Sequence, residues 1–362
     1  MVLSRLPASA YGPLGRVHAR VSKVGFGGYR VDDRSDVHRE ALREALVSGV
    51  TLVDTSTNYA DGHSEILVGE VVRDVLGRGS ARREDLVLVT KAGYVQGSNQ
   101  REAIRRARAG RPWSEMTEYT PDCWHCISPD FLADQLTASL ERLALEKVDV
   151  LLLHNPEYFL TDAAHRGVPR DEARATFYER LRRALRHLEA EAAAGRIGAY
   201  GISSNTFSVP RENEDAVSLE RVLENAGPGL AVVQLPFNPL ETGAREPIHT
   251  PDGRSVLDVA KGAGLGVLVN RPLNAFTGRG LARFAAFAPD VLRELGRDAE
   301  WDEKRIESLA SYLDTALPPG RGRGSSLAQR TIRGILETHG VDVVLVGMRR
   351  PAYVRDVVGA FA

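Results

Sequence analysis

Residues 51–76 read TLVDTSTNYADGHSEILVGEVVRDVL, and this stretch decides the fold. An apolar run stops on Asp54, a turn-rich segment carries Tyr59, and from His63 apolar residues recur at helical spacing. The pattern returns twice. LVLVTK (86–91) ends on Lys91, and VDVLLLH (148–154) ends on His154. Runs that are Val- and Leu-rich and apolar throughout fit strands buried on both faces. Helical patterns follow, closely at 63–76, and after longer intervals at SPDFLADQLTASLERL (128–143) and ARATFYERLRRALRHLEAEAAA (173–194). Strand, loop and helix in repetition imply a parallel sheet. If that sheet closes into a barrel, the strand C-termini share one face, where active sites sit. Asp54, Tyr59, Lys91 and His154 would then meet in one pocket.

Working outward, eight strand-like runs are legible. They are VSKVGFG from Val21, TLVD from Thr51, LVLVT from Leu86, VDVLLL from Val148, IGAYGIS from Ile197, LAVVQL from Leu230, LGVLVN from Leu265 and VDVVLVG from Val341. DVHREALREALVSG (36–49) is helical in pattern and ends on a capping glycine. Ser128 before Pro129 is a helix-start signal, and SSLAQRTIRGILETHG (325–340) supplies a helix before the last strand. With no Gly/Ser-rich linker, the expectation is an α/β fold: one (β/α)8 TIM barrel domain over residues 1–362. No short-period repeat interrupts it.

Two connections are too long for plain loops. About 37 residues separate Lys91 from Pro129 and about 50 separate Pro272 from Ser325; such lengths are usually functional or mobile. Both would rise over the pocket, after strands 3 and 7. The second contains LARFAAFAPDVLREL and EWDEKRIESLASYLD, which are helical in pattern, and PPGRGRG, which suits a flexible return.

Composition narrows the rest. At 362 residues the chain can bury a large core, about 75% of unfolded surface at roughly 300 residues. A formal net charge of −1 gives no reason to expect a nucleic-acid partner. No apolar stretch approaches the ~20 residues that span a bilayer, and the N-terminus has no continuous apolar core of the signal-peptide kind. Two cysteines do not make a disulfide framework. A soluble cytoplasmic protein is the expectation.

GVTLVDTSTNYADGHSEILVGEVV, LVLVTKAGY, VDVLLLHNPE, YGISSN and VVLVGMRRP, in this order, resemble the aldo-keto reductase family. The resemblance implies a barrel that binds a nicotinamide cofactor in extended form, and a tetrad of Asp54, Tyr59, Lys91 and His154. The chemistry is sound on its own terms. Reducing a carbonyl puts hydride on carbon and a proton on oxygen. Tyr59 is the natural donor, but a free phenol has a pKa near ~10. A neighbouring Lys91 cation would lower it, Asp54 would hold Lys91 charged, and His154 would polarise or position the carbonyl.

For the cofactor, the resemblance implies Ser203, with Ser204 or Asn205, at the nicotinamide amide, Asn155 beside them, and Gln234 reaching the carboxamide. In NRPLN (270–274) a tyrosine that often stacks on the nicotinamide is replaced by Asn270; Arg271 beside it would meet the pyrophosphate, and Leu273 lies in the same segment. At the end of the last strand, Gly347, Met348 and Arg349 would hold a 2′-phosphate, Tyr353 would stack on adenine and Asp356 would contact its amine. NADP is the expected cofactor, with NAD an alternative.

The loop after Lys91 carries Tyr94, Trp113, Tyr119, Trp124 and His125, and the loop after His154 carries Glu157, Tyr158 and Phe159. These would wall a pocket or pack the loops onto the rim. In Cys123–Cys126 (CWHC) one CxxC lacks the second pair a structural zinc needs, so no metal is expected. The basic run REAIRRARAGR (101–111) reads as a solvated stretch within the loop. Beside an oxidoreductase acting on an aldehyde, ketone or sugar stand two alternatives: a lyase or aldolase using a Lys91 Schiff base, and a non-catalytic nucleotide-binding barrel.

Overall fold

The computed structural model describes residues 6–17, 20–277, 280–283 and 326–361. Eight parallel strands close into a barrel: β1 (Val24–Gly27), β2 (Leu52–Asp54), β3 (Val87–Ala92), β4 (Val148–His154), β5 (Ile197–Ser203), β6 (Leu230–Pro236), β7 (Gly266–Asn270) and β8 (Val343–Val346). Each pairs with the next, and β8 returns to β1. Around them lie α1 (Asp36–Val47), α2 (His63–Gly77), α3 (Gly97–Arg108), α4 (Pro129–Leu143), α5 (Tyr158–His165), α6 (Arg170–Ala193), α7 (Leu219–Asn225), α8 (Val256–Gly262), α9 (Leu327–Leu336) and α10 (Pro351–Val358). The fold is the expected (β/α)8 TIM barrel. Among the described residues no helix is long and apolar enough to cross a membrane.

Strand parity positions everything that follows. Successive side chains alternate between the two faces of a strand. One apolar cluster gathers Leu52, Val87, Val89, Val150, Leu152, Ala199, Val232, Leu268, Val343 and Leu345; these share one parity and fill the barrel interior in layers. The other parity, including Val53, Leu88, Leu151, Val233, Val269 and Val346, packs under the helices. Continuing the inward parity reaches Asp54, Lys91, His154, Ser203, Gln234, Asn270 and Gly347. Apart from Gln234, which Pro236 follows, each is the last inward residue of its strand or the next inward step beyond it. The top layer of the barrel is therefore polar because each apolar run stops where it does.

Local signals agree. The Ser35 hydroxyl accepts from the His38 N–H at the start of α1, a cap worth about 1 kcal/mol. Pro129 opens α4 at its first position, where a missing N–H does no harm. The α2 face toward α4 holds a buried carboxylate: Glu65 accepts from Thr90 Oγ1 at 2.5 Å and from Arg142 Nε at 2.7 Å.

Three expectations need correction. The run VSKVGFG is two strands, broken at Lys23: Arg20–Ser22 pairs antiparallel with Tyr11–Pro13, and only Val24–Gly27 joins the barrel. Leu14 and Val21 of this hairpin belong to the interior cluster and plug the N-terminal end. The connection after β3 is not a bare loop. It holds α3, which takes up most of the basic run 101–111, and a small sheet of Tyr94–Val95, Cys123–His125 and Thr117–Thr120. Strands of two to four residues are too short for periodicity to reveal. After β7, Asn274–Thr277 pairs with Gly280–Arg283 as a hairpin, so residues 281–283 are not helical. The rest of the two helical stretches and the PPGRGRG return lie outside the described residues.

Candidate active site

The centre of the site is one buried cation with three acceptors. Lys91, at 0% exposure, donates from Nζ to Asp54 Oδ2 at 2.6 Å, to the Thr55 carbonyl at 2.9 Å and to Tyr59 Oη at 3.2 Å. Its ammonium also lies 4.7 Å from the Tyr59 ring centroid. Burial alone would push Lys91 down, but the Asp54 carboxylate and the hydrogen bonds to Asp54 and Tyr59 prevail and hold it above the usual lysine range. Its three N–H donors are all committed to these acceptors. Gln234 Nε2 donates to the other Asp54 oxygen at 2.8 Å, and Gln234 Oε1 accepts from Ser203 Oγ at 3.0 Å and Asn270 Nδ2 at 3.4 Å. The strand ends are thus wired side by side across the barrel mouth.

Tyr59 departs from expectation. Burial dominates and raises its phenol above the usual value, while the Lys91 cation pulls the other way. Without substrate, then, the phenol keeps its proton, with the cation in place to stabilise the oxygen once that proton leaves.

His154 is 7% exposed, and burial together with the Lys91 cation and His125 holds it well below the usual histidine range. Its Nδ1 lies 3.0 Å from Ser56 Oγ. Its backbone carbonyl accepts from His125 Nε2 at 2.7 Å. Gly93 lies between them: a Cβ there would sit 2.5 Å from that carbonyl and 2.7 Å from His125 Nε2. Only a residue without a side chain lets the β3 connection pass.

The aromatic residues pack against each other and against the site. The Tyr94 ring meets His154 edge-on at 4.7 Å, and its hydroxyl accepts from Asn155 Nδ2 at 2.7 Å and donates to Tyr158 at 3.3 Å. His125 stacks on Tyr158, and Tyr119 on His165. They form a wall beside His154. Trp113 instead packs on Phe131, away from this wall.

The CWHC side chains have other partners. His125 is committed to His154, Cys126 Sγ lies 3.2 Å from the Ser114 carbonyl and 3.1 Å from Ser128 Oγ, and Cys123 hydrogen-bonds Gln96. Among the described residues, no three His, Cys, Asp or Glu side chains are grouped to hold a metal ion.

The residues expected at a cofactor fall into two groups. Near the tetrad, Asn155 N–H donates to the Ser203 carbonyl and Ser204 N–H to the Gln234 carbonyl. Asn205 N–H donates to Glu157 Oε1 at 2.8 Å. Asn270 Oδ1 is buried with no partner, and Gln234 keeps one N–H not used by Asp54. An orphan acceptor beside a spare donor suits a carboxamide, which offers both, so the residues present fit a nicotinamide amide. Arg271 adopts φ 53° and pairs with Glu241 at 3.3 Å, held by Asn238, whose amide donates to the carbonyls of Arg271 and Asn274. Leu273 packs against the outer core. At the far end, Gly347 and Arg349 are exposed and Tyr353 is 41% exposed. The Met348 side chain is fully buried under the helices, so only its backbone is available. Asp356 is taken up by Gln329, which donates to it at 3.0 Å.

Three residues escaped the sequence reading. Ser56 looked like a turn serine, although it lies between Asp54 and Tyr59. Tyr29, whose ring meets Tyr59 edge-on at 5.4 Å and is 61% exposed, stands two residues beyond β1. Glu241 pairs with Arg271 from another loop.

Glu157 yields a test of the local electrostatics. It is 4% exposed, and burial raises its carboxyl from 4.5 to about 7. A carboxyl raised in the folded state favours the protonated fold. Its contribution is full below pH 4.5 and disappears as pH rises toward 7, about 3 kcal/mol at most. Glu157→Gln should therefore gain stability relative to the parent between pH 5 and 8. Thermal midpoints across this range check it, and a constant difference would contradict it.

The model of the aldo/keto reductase family matches residues 23–362. A curated relative, aldo-keto reductase YhdN of Bacillus subtilis, is 25% identical over 341 residues, covering 91% of this chain and 82% of its own. Among solved structures, glycerol dehydrogenase AKR11B4 of Gluconobacter oxydans superposes with a TM-score of 0.61 at 21% identity, covering 98% of this chain and 91% of that one. An aldo/keto reductase of Klebsiella pneumoniae in complex with NADP and acetate superposes with a TM-score of 0.55 at 18% identity, covering 97% and 89%.

Proposed function

Because the chain belongs to the aldo/keto reductase family, oxidoreductases acting on carbonyl compounds with nicotinamide cofactors, we propose that it interconverts a small aldehyde, ketone or sugar carbonyl and its alcohol, using NADPH, with Tyr59 as the general acid and base. One observation carries this reading: Lys91 Nζ bridges Asp54 Oδ2 and Tyr59 Oη inside a buried site. The cofactor, when bound, supplies or accepts the hydride. In reduction, Tyr59 gives its proton to the oxygen that becomes an alcohol. The Lys91 cation, fixed by Asp54, stabilises the phenolate left behind, in a setting where water does not screen it. Neutral His154 orients the substrate opposite Tyr59. Asn155, Ser203, Ser204, Asn205, Gln234 and Asn270 would hold the nicotinamide amide. Arg271 and Leu273 would lie along the pyrophosphate, and Gly347, Met348, Arg349, Tyr353 and Asp356 around the adenosine.

The preference for NADPH rests on exposed Arg349 at the end of β8. A guanidinium there suits a phosphate dianion through paired N–H donors. Titration of the protein with NADPH and with NADH, followed by tryptophan fluorescence, tests it. Tight NADPH and weak NADH binding are expected. Arg349→Ala should weaken NADPH roughly tenfold or more, the loss of a charge-assisted hydrogen bond, and leave NADH nearly unchanged. Equal losses for both would show that Arg349 does not read the 2′-phosphate.

A further inference from the structure

The backbone just beyond Tyr59 is left-handed at three residues in succession: Ala60 (φ 50°, ψ 38°), Asp61 (φ 57°, ψ 39°) and Gly62 (φ 91°). Glycine suits that region and aspartate tolerates it, but alanine is disfavoured there by roughly five- to thirtyfold. Such a conformation persists only where its surroundings hold it. Inside the turn the support is slight, since the Asp61 N–H reaches only the Asn58 carbonyl, at 3.3 Å.

The hold comes from α3, in the long connection after β3. Asp61 Oδ1 accepts from the Ser98 N–H at 2.9 Å and from Ser98 Oγ at 2.6 Å, and Arg101 of the basic run lies 3.5 Å from Oδ2. The Asp61 side chain is 44% exposed, so these bonds rather than packing fix it. Partial burial would raise its carboxyl, but the Ser98 hydroxyl and N–H and the Arg101 cation outweigh that and hold it below its usual value. Gly97 makes the contact possible, because a Cβ there would sit 2.6 Å from Oδ1. Gln96, the residue before α3, gives the helix no side-chain cap, so Asp61 takes that place from another loop. The helix is itself fastened to α4: the Asn99 and Gln135 amides meet at 2.8 Å, and Arg106 pairs with Asp134 at 3.0 Å. The turn is therefore tied to a fixed body. At its other end stands Tyr59, whose Oη lies 3.2 Å from Lys91 Nζ. Rotation of Ala60 out of the left-handed region would redirect the chain beside Tyr59 and carry the phenol off the cation.

We propose that Asp61 is a positioning residue: bonded to the start of α3, it holds the left-handed turn that keeps the Tyr59 phenol against Lys91. The effect on rate rests on the reading of Tyr59 as the proton donor; the effect on the phenol's position does not. The basic helix, which touches no reacting atom, thereby sets the geometry of the site.

Cofactor-free protein carrying 13C at tyrosine Cζ reports the phenol's surroundings directly, with the Tyr59 signal assigned by its loss in Tyr59→Phe. Asp61→Ala should move that signal. Asp61→Asn, which keeps an acceptor for Ser98 and tolerates left-handed backbone, should leave it in place. Ala60→Gly added to Asp61→Ala should bring it back, because glycine removes the strain that Asp61 resists. A carboxylate that served only to cap α3 could not be replaced by a change within the turn. An unmoved Tyr59 signal in Asp61→Ala, or no recovery in the double variant, overturns the proposal. Single-turnover rates with NADPH and glyceraldehyde should follow the spectra, falling roughly tenfold in Asp61→Ala, in line with the strain at Ala60, and returning for the most part in the double variant. A parent-like rate in Asp61→Ala overturns the effect on rate. If no carbonyl is reduced at all while the spectra are as expected, the reductase reading fails and the hold of α3 on the turn stands.

Discussion

Tyr59→Phe should lower kcat by about 10²–10⁴-fold, the usual worth of a positioned general acid, and leave NADPH affinity unchanged. The substitution removes one oxygen. Phenylalanine keeps the ring that packs edge-on against Tyr29 and His154 and lies under the Lys91 ammonium. Lys91 loses its 3.2 Å contact but keeps Asp54 and the Thr55 carbonyl. Packing is therefore preserved, and only the proton donor is gone. The loss should fall equally on kcat and kcat/KM, because the interaction belongs to the transition state. Single-turnover kinetics with NADPH in excess measure it. Retained turnover would show that another group protonates the oxygen.

Lys91→Met should have the largest effect on stability. The Asp54–Lys91 pair is shut off from water, with side-chain exposures of 5% and 0%. Removing only the cation leaves a buried carboxylate with Gln234 as its one side-chain partner, and breaking such a pair costs about 3–5 kcal/mol. A paired variant separates charge from shape. Lys91→Met with Asp54→Asn removes both charges and keeps an acceptor for Gln234, so it should regain most of the lost stability. It should regain no turnover, because the phenolate still lacks its cation. Urea unfolding of the two variants checks this. A single variant as stable as the parent would mean that the pair is not sealed from solvent.

Much of this site was legible in the sequence for one physical reason. In a parallel barrel the strands are apolar on both faces until they reach the mouth, so the residue that ends each run marks the rim. Asp54, Lys91 and His154 were found that way, and Ser203, Gln234 and Asn270 continue the same inward parity. What stayed hidden depends on distance between segments. Ser56 is one hydroxyl among many in a turn, and only the approach of β4 puts an imidazole against it. His125 was one more loop aromatic until the small sheet after β3 brought it to the His154 carbonyl. The upward shift of Tyr59 was missed because a neighbouring cation can be guessed from spacing, whereas burial around a side chain cannot. The break at Lys23 was hidden because both halves of VSKVGFG are extended, and only their pairing separates the hairpin from the barrel.

The central claim is hydride and proton transfer at the mouth of the barrel, and following the hydrogen tests it most directly. The protein is incubated with glyceraldehyde and NADPH deuterated at its transferable position, while cofactor absorbance and product mass are recorded together. The account predicts one deuterium on the product alcohol carbon for each NADPH consumed, and neither change in Tyr59→Phe. Consumption of NADPH without deuterium in the product, or transfer that persists undiminished in Tyr59→Phe, would contradict it.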